Sequence, residues 1–199
     1  LLKAFKFAKL NKVLKNKVYL DEATGLPNKN KCEEILTQDA EKNMAIFVFD
    51  LNNLRIVNNT QGHEKGDQYI NSFARQLRMS IETNQFVGRY GGDEFIAVLK
   101  NISKDQAKEV LFQIKSQCES YSIQHPQLTL SYAVGFAYSN DFTSFTMREL
   151  FCQADKQMYI DKNQAKLLEM KKKIDFRYDI VFKIKSFPFY GLLILRCSK

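Results

Sequence analysis

The chain has 199 residues, 45% of them apolar, with eight glycines, three prolines and a formal net charge of +8. That suits one domain with a real core plus extensions and excludes a disordered chain. The basic charge lies in the ends: residues 21–161 hold 14 basic and 19 acidic side chains, so a folded basic face for nucleic acid is excluded and no nucleic-acid partner is expected.

Residues 1–20 carry six lysines and no acid, and Phe7, Leu10, Leu14 and Val18 share one helical face. They read as a helical stalk or linker, whose lysines suit a solvated face or an anionic membrane surface. Thr24-Gly25-Leu26-Pro27-Asn28 reads as a turn, followed by a helix through Ile35 and Leu36. Met44 to Phe49 is apolar at every position and ends at Asp50, as in a strand covered on both faces. Asp50 suits either a strand-end cap or a ligand at the sheet edge. Gly62-His63-Glu64-Lys65-Gly66-Asp67 precedes a helix with Ile70, Phe73, Leu77 and Ile81 on its apolar stripe.

Residues 86–99 read as a hairpin. Gly91-Gly92 lies between two apolar runs and suggests a tight turn at positive φ, with Asp93 and Glu94 at its tip. Ser103 with Gln106 forms a capping box for a helix burying Ala107, Val110, Leu111, Ile114 and Cys118. Leu128 to Tyr138 reads as a strand. Thr146 with Glu149 caps a last helix that buries Leu150, Ala154 and Met158. Beyond it, Ile174, Phe176, Tyr178 and Ile180 alternate with polar residues, as in an extra strand or the start of another domain.

No signal peptide is visible, and the apolar run from Phe187 to Leu195 is too short to span a bilayer. Cys32, Cys118, Cys152 and Cys197 lack metal-ligand spacing and read as small apolar residues in a reducing compartment. The expected organisation is a stalk over 1–20, a domain over 21–170 and an extension over 171–199. Helices and strands interleave around a central hairpin, which predicts an α+β fold with a mostly antiparallel sheet flanked by helices, ferredoxin-like in arrangement.

Two elements carry chemistry. Asp50 ends a central strand, while Asp93 and Glu94 sit at a hairpin tip. If the strands are neighbours, about 4.8 Å apart, these carboxylates meet, and their repulsion calls for a cation. Oxygen donors without Cys or His favour Mg²⁺, which commonly serves phosphate substrates. The residues alone therefore point to nucleotide phosphoryl transfer.

Gly91-Gly92-Asp93-Glu94-Phe95 resembles the signature of GGDEF-domain diguanylate cyclases. Four further stretches resemble that family's motifs in order: Asp21 to Lys29 (D-x-L-T-G-L-P-N-R), Asp50 to Asn59 (D-x-D-x-F-K-x-x-N-D), Gly62 to Asp67 (G-H-x-x-G-D) and Ala154 to Lys162 (A-D-x-A-M-Y-x-A-K). The resemblance covers residues 21–166 and implies a fold related to the palm of nucleotide cyclases.

It further implies an enzyme, active as a homodimer through this domain, that condenses two GTP into cyclic di-GMP and releases pyrophosphate. Asp50, the Leu51 carbonyl, Asp93 and Glu94 would hold Mg²⁺, with Mn²⁺ as the alternative. Asp93 would be the base for the attacking 3′-hydroxyl, with Glu94 and Lys162 the other catalytic candidates. Asn58 and Asp67 would read guanine, since an amide and a carboxylate match its donors and acceptors. His63 would lie near the nucleotide or brace the loop around it, and Lys162 and Lys166 would meet the phosphates. The resemblance also implies a cytoplasmic domain, either free or the inner part of a membrane-anchored protein, served by an upstream sensor.

The departures are Asn52 for an Asp, Asn59 for an Asp, Leu54-Arg55 for Phe-Lys and Lys166 for an Arg. Glu82-Thr83-Asn84-Gln85 stands where the product-inhibition motif R-x-x-D would fall, so feedback through that site is not expected. Two other readings stand beside an active cyclase: a non-catalytic module that binds GTP and regulates a partner domain, and a dimerisation unit that binds no nucleotide.

Overall fold

The structure, a computed structural model, describes residues 17–185. Most of the expected stalk and everything beyond Lys185, including Cys197, lie outside the described residues. The chain divides into two units at Lys162 and Asn163.

The first unit is built on β1 (Ala45–Leu51), the strand with no polar residue before Asp50. All seven of its residues are buried, as expected for a strand covered on both faces. It pairs antiparallel with β3 (Glu94–Leu99) on one side and β4 (Tyr132–Tyr138) on the other. With β2 (Phe86–Arg89) outside β3, the order is β2-β3-β1-β4 and every pairing is antiparallel.

Alternation along β1 divides the core in two. Ala45, Phe47, Phe49 and Leu51 face α3 (His63–Ser80) and α4 (Lys104–Gln124), where Phe73, Leu77 and Ile114 are fully buried. Ile46 and Val48 face α1 (Lys29–Leu36) and the start of α5 (Met147–Lys185), where they meet Cys32, Leu36, Leu150, Ala154 and Met158. Gly135 marks the tightest approach: a Cβ there would lie 1.8 Å from the Ala154 carbonyl oxygen and 2.3 Å from the Met158 nitrogen. Both expected capping boxes are present, Ser103 with Gln106 and Thr146 with Glu149. Cys32 and Cys118 are buried, and burial pushes both thiols up to about 12; Cys152 is exposed.

Several expectations are corrected. A short helix, α2 (Leu54–Gln61), follows β1 directly, and Gly62, at φ +87°, joins it to α3. Residues 63–67 are therefore the first turn of α3 rather than a loop. Neither Gly91 nor Gly92 takes a positive φ. The hairpin closes over four residues instead, with the Tyr90 and Gly91 N–H groups both donating to the Glu94 carbonyl at 2.8 and 3.1 Å. A Cβ on Gly91 would lie 2.7 Å from Glu94 Oε2, the far end of a flexible side chain.

The expected strand from Leu128 begins only at Tyr132, because Pro126 opens a short 3₁₀ turn over Pro126–Leu128. Residues 174–185 are helical, not extended. No glycine or proline occurs between Gly135 and Pro188, so nothing in that stretch ends α5. Of the second unit, residues 163–185 are described, and they form the rest of that helix. Among the described residues no helix is long and apolar enough to cross a membrane.

Candidate functional site

Where β1 ends, Asp50 stands opposite Glu94 on β3 and Ala133 on β4. Directly opposed residues share a face, with Cβ atoms about 5 Å apart. Asp50 and Glu94 therefore both project on the side packed by α5. Asp50 is only 7% exposed, and a carboxylate so placed needs a partner. Lys162, from α5, supplies it: Nζ donates to Asp50 Oδ1 at 2.5 Å. Leu51 takes part through its backbone, its N–H donating to the Asp93 carbonyl at 2.9 Å. That bond ties the hairpin tip to the end of β1.

The electrostatics of this edge show in Glu94. Burial raises its carboxyl above the usual range, and the charges of Asp93, Asp50 and Asp155 raise it further, while Lys162 works the other way. Asp155 is a contributor that the sequence reading quoted within a motif and gave no role. It is exposed, one helical turn before Met158 and two before Lys162 on α5. The donors here are all oxygen, which suits a hard divalent cation. Among the described residues, however, no three His, Cys, Asp or Glu side chains close into a metal cage. Asp50 and Glu94 thus stand side by side at the sheet edge, and Asp50 is held by a lysine.

Asn58, near the end of α2, and Asp67, in the first turns of α3, flank the joint of the two helices. A Cβ on Gly66 would lie 1.9 Å from Asn58 Oδ1, so the Asn58 amide rests directly against the residue before Asp67. Asn58 is half-buried; Asp67 and His63 are exposed. His63 is the first residue of α3 and makes no side-chain hydrogen bond among those described. Lys166 is exposed on the second unit's part of the last helix.

Asn52 has its own occupation. Its amide donates to Ser131 Oγ at 3.1 Å and its backbone N–H to the Ser131 carbonyl at 2.9 Å. The Tyr69 hydroxyl braces the same spot, accepting from the Ser131 N–H at 2.8 Å and lying within reach of the Asn52 and Ser131 carbonyls.

Arg89 is the residue that sequence reasoning missed. Its Nε donates to the Gly91 carbonyl at 3.2 Å and Nη2 to that of Gly92 at 2.8 Å, while Nη1 reaches Asp21 at 3.0 Å. Asp21 also accepts from the Thr24 N–H and hydroxyl. A basic residue two before the Gly-Gly step, with an acid heading the first motif, is the signal that would have found it.

Burial works to raise the Asp21 carboxyl, but the Thr24 and Arg89 hydrogen bonds outweigh it and hold it below its ordinary value. A depressed carboxylate stabilises the fold above the ordinary value, about pH 4, and loses that contribution as pH falls through the folded one. Asp21→Asn is therefore expected to be less stable at neutral pH and to show a shallower loss of stability below about pH 4, measured by urea unfolding across pH. Parallel acid limbs for the two proteins would contradict it.

The family profile described as the diguanylate cyclase GGDEF domain matches residues 18–167. An uncharacterized membrane protein of Staphylococcus aureus (strain USA300) is 28% identical over 155 residues, which is 73% of this chain and 44% of that protein. The chain thus spans less than half the length of the curated relatives it matches. A microbial GGDEF domain studied for its interaction with bis-(3′,5′)-cyclic di-GMP superposes with a TM-score of 0.63 at 26% identity, covering 74% of this chain and 94% of that one. The coiled coil and GGDEF domain of DgcB from Caulobacter crescentus, in complex with cyclic di-GMP, superposes with a TM-score of 0.72 over 82% of this chain and 90% of that one; at 20% identity the likeness is one of fold.

Proposed function

The chain belongs to the GGDEF diguanylate-cyclase family, and we propose that it condenses two GTP into cyclic di-GMP with release of pyrophosphate, as a Mg²⁺-dependent homodimer. The observation that carries this reading is the row of Asp50, Asp93 and Glu94 at one sheet edge with Lys162 beside it.

The donors fit the metal by their chemistry. Mg²⁺ keeps several waters and is bound by one or two carboxylates together with substrate phosphates rather than by an all-protein cage. Asp50, the Leu51 carbonyl, Asp93 and Glu94 would hold it, with Mn²⁺ as a substitute. When bound, it would polarise the α-phosphate and neutralise charge on the leaving pyrophosphate. Asp93 would take the proton from the attacking 3′-hydroxyl, and Glu94 would support the metal position. Lys162 and Lys166 would bind the phosphates. Asn58 and Asp67 would orient guanine through its N1–H and N2 amino donors and its acceptors. His63, at the first turn of α3, would lie beside the nucleotide. Two domains must face each other, because each brings one GTP and the reaction joins them. We place the domain in the cytoplasm, as part of a longer membrane-associated protein with an input domain upstream; its relatives carry the name of membrane proteins.

The test is incubation of a verified dimer with GTP and Mg²⁺, with chromatography of the products. Cyclic di-GMP supports the reading. A dimer that binds GTP and makes no product overturns it in favour of a GTP-binding regulatory module. One observation favours that second reading: the Asn52 amide, where the family usually has an Asp, is spent on Ser131 and adds no acid to the site.

A further inference from the structure

The geometry points to Lys162 as a resident counter-ion that keeps a divalent metal off Asp50 until a nucleoside triphosphate arrives, so that metal binding is conditional on nucleotide. This rests on reading the site as a metal–nucleotide site.

Asp50 cannot stand alone in its setting. Its side chain is 9% exposed, and removing such a carboxylate from water is costly unless a cation or several donors compensate. The compensation is the Lys162 ammonium, 2.5 Å from Oδ1. A divalent ion arriving by itself meets a carboxylate oxygen already bonded to a cation. It must repel or expel that ammonium, and it finds no ready cage among the neighbouring side chains.

The lysine is suited to moving. Its side chain is 26% exposed, so one side of it borders water, and its four-carbon stem is flexible with three rotatable donors. Asp50 and the neighbouring Glu94, which stands opposite it across the sheet, hold the ammonium in place while no stronger anion is near. A triphosphate changes the balance. It offers oxygens of higher charge than a single carboxylate and carries a metal with it. The ammonium passes from Asp50 to phosphate, and Asp50 Oδ1 is freed for the metal in the same event. No covalent bond changes; two ionic contacts exchange partners. The consequence is a site that ignores free divalent ions and loads metal with substrate.

The probe is Mn²⁺, titrated into the full chain and followed by the electron paramagnetic resonance of the free aquo ion. Wild type is expected to bind Mn²⁺ weakly alone, and with a non-condensable GTP analogue more tightly than the analogue itself binds Mn²⁺ without protein. Equal affinity in the two conditions overturns the proposal without any variant. Lys162→Met is expected to bind Mn²⁺ without nucleotide about tenfold more tightly than wild type, since Asp50 loses its competing cation. Lys162→Arg, which keeps the charge, is expected to stay at the wild-type affinity. Lys162→Gln stands in should the Met variant fail to fold. A folded, uncharged variant that binds Mn²⁺ no more tightly than wild type overturns the proposal. Wild type that adds nothing to the analogue's own Mn²⁺ binding overturns the metal–nucleotide reading itself.

Discussion

Asp93→Ala is expected to lower cyclic di-GMP formation by about a thousandfold, the middle of the range for losing a positioned base, and more if metal affinity falls with it. The change is unusually clean for a hairpin tip. The contact that ties residue 93 to β1 is its carbonyl, which accepts from the Leu51 N–H. Alanine keeps that carbonyl, and the loop stays closed through the Tyr90 and Gly91 N–H groups on the Glu94 carbonyl. Thermal stability should therefore hold at the wild-type value while product formation collapses. Product measured by chromatography at more than about a tenth of the wild-type rate would remove Asp93 from the proposed role. Glu94 gains from the change, since Asp93 is one of the charges that raise its carboxyl. Its titration should move back toward the ordinary range in the variant.

The largest effect on stability is expected from Gly135→Ala, a loss of about 3 kcal/mol or more. The added methyl would lie 1.8 Å from the Ala154 carbonyl oxygen and 2.3 Å from the Met158 nitrogen. Both are backbone atoms of α5, so no rotamer change relieves the clash, and the helix must lift from the sheet. Ala154 is fully buried and Met158 nearly so. Lifting α5 also draws Lys162 from Asp50. Urea unfolding should show a lowered midpoint with an unchanged slope. A midpoint within error of wild type would mean that α5 does not bear on β4 as described.

Much of this was legible in advance, for reasons that differ by element. β1 announced itself because a strand buried on both faces tolerates no polar residue until its end. The caps of α4 and α5 were legible because Ser103 with Gln106, and Thr146 with Glu149, satisfy orphan N–H groups by purely local contacts. The joining of Asp50 to Glu94 followed once β1 and the hairpin were taken as neighbours. The short α2 escaped because its apolar residues, Leu54, Ile56 and Val57, fall within one turn of an eight-residue helix, too few to show a helical period. The turn over residues 90–93 differs from the expected one because a Gly-Gly step permits positive φ without requiring it. Arg89 was invisible for a different reason. Its partners are two carbonyls, which every residue has, and Asp21, 68 positions away. The Lys162–Asp50 contact is separated by 112 positions, and only the folded sheet brings it into view.

The guanidinium of Arg89 has a wider meaning. One side chain joins the first turn of the domain to the loop that bears its chemistry, so the two have no separate thermodynamics. Coupling free energies are reciprocal. Whatever molecule seats itself against Gly91 and Gly92 must lend Asp21 and Thr24 as much order as it receives from them. Slackness introduced at Asp21 would return as weaker affinity at the tip.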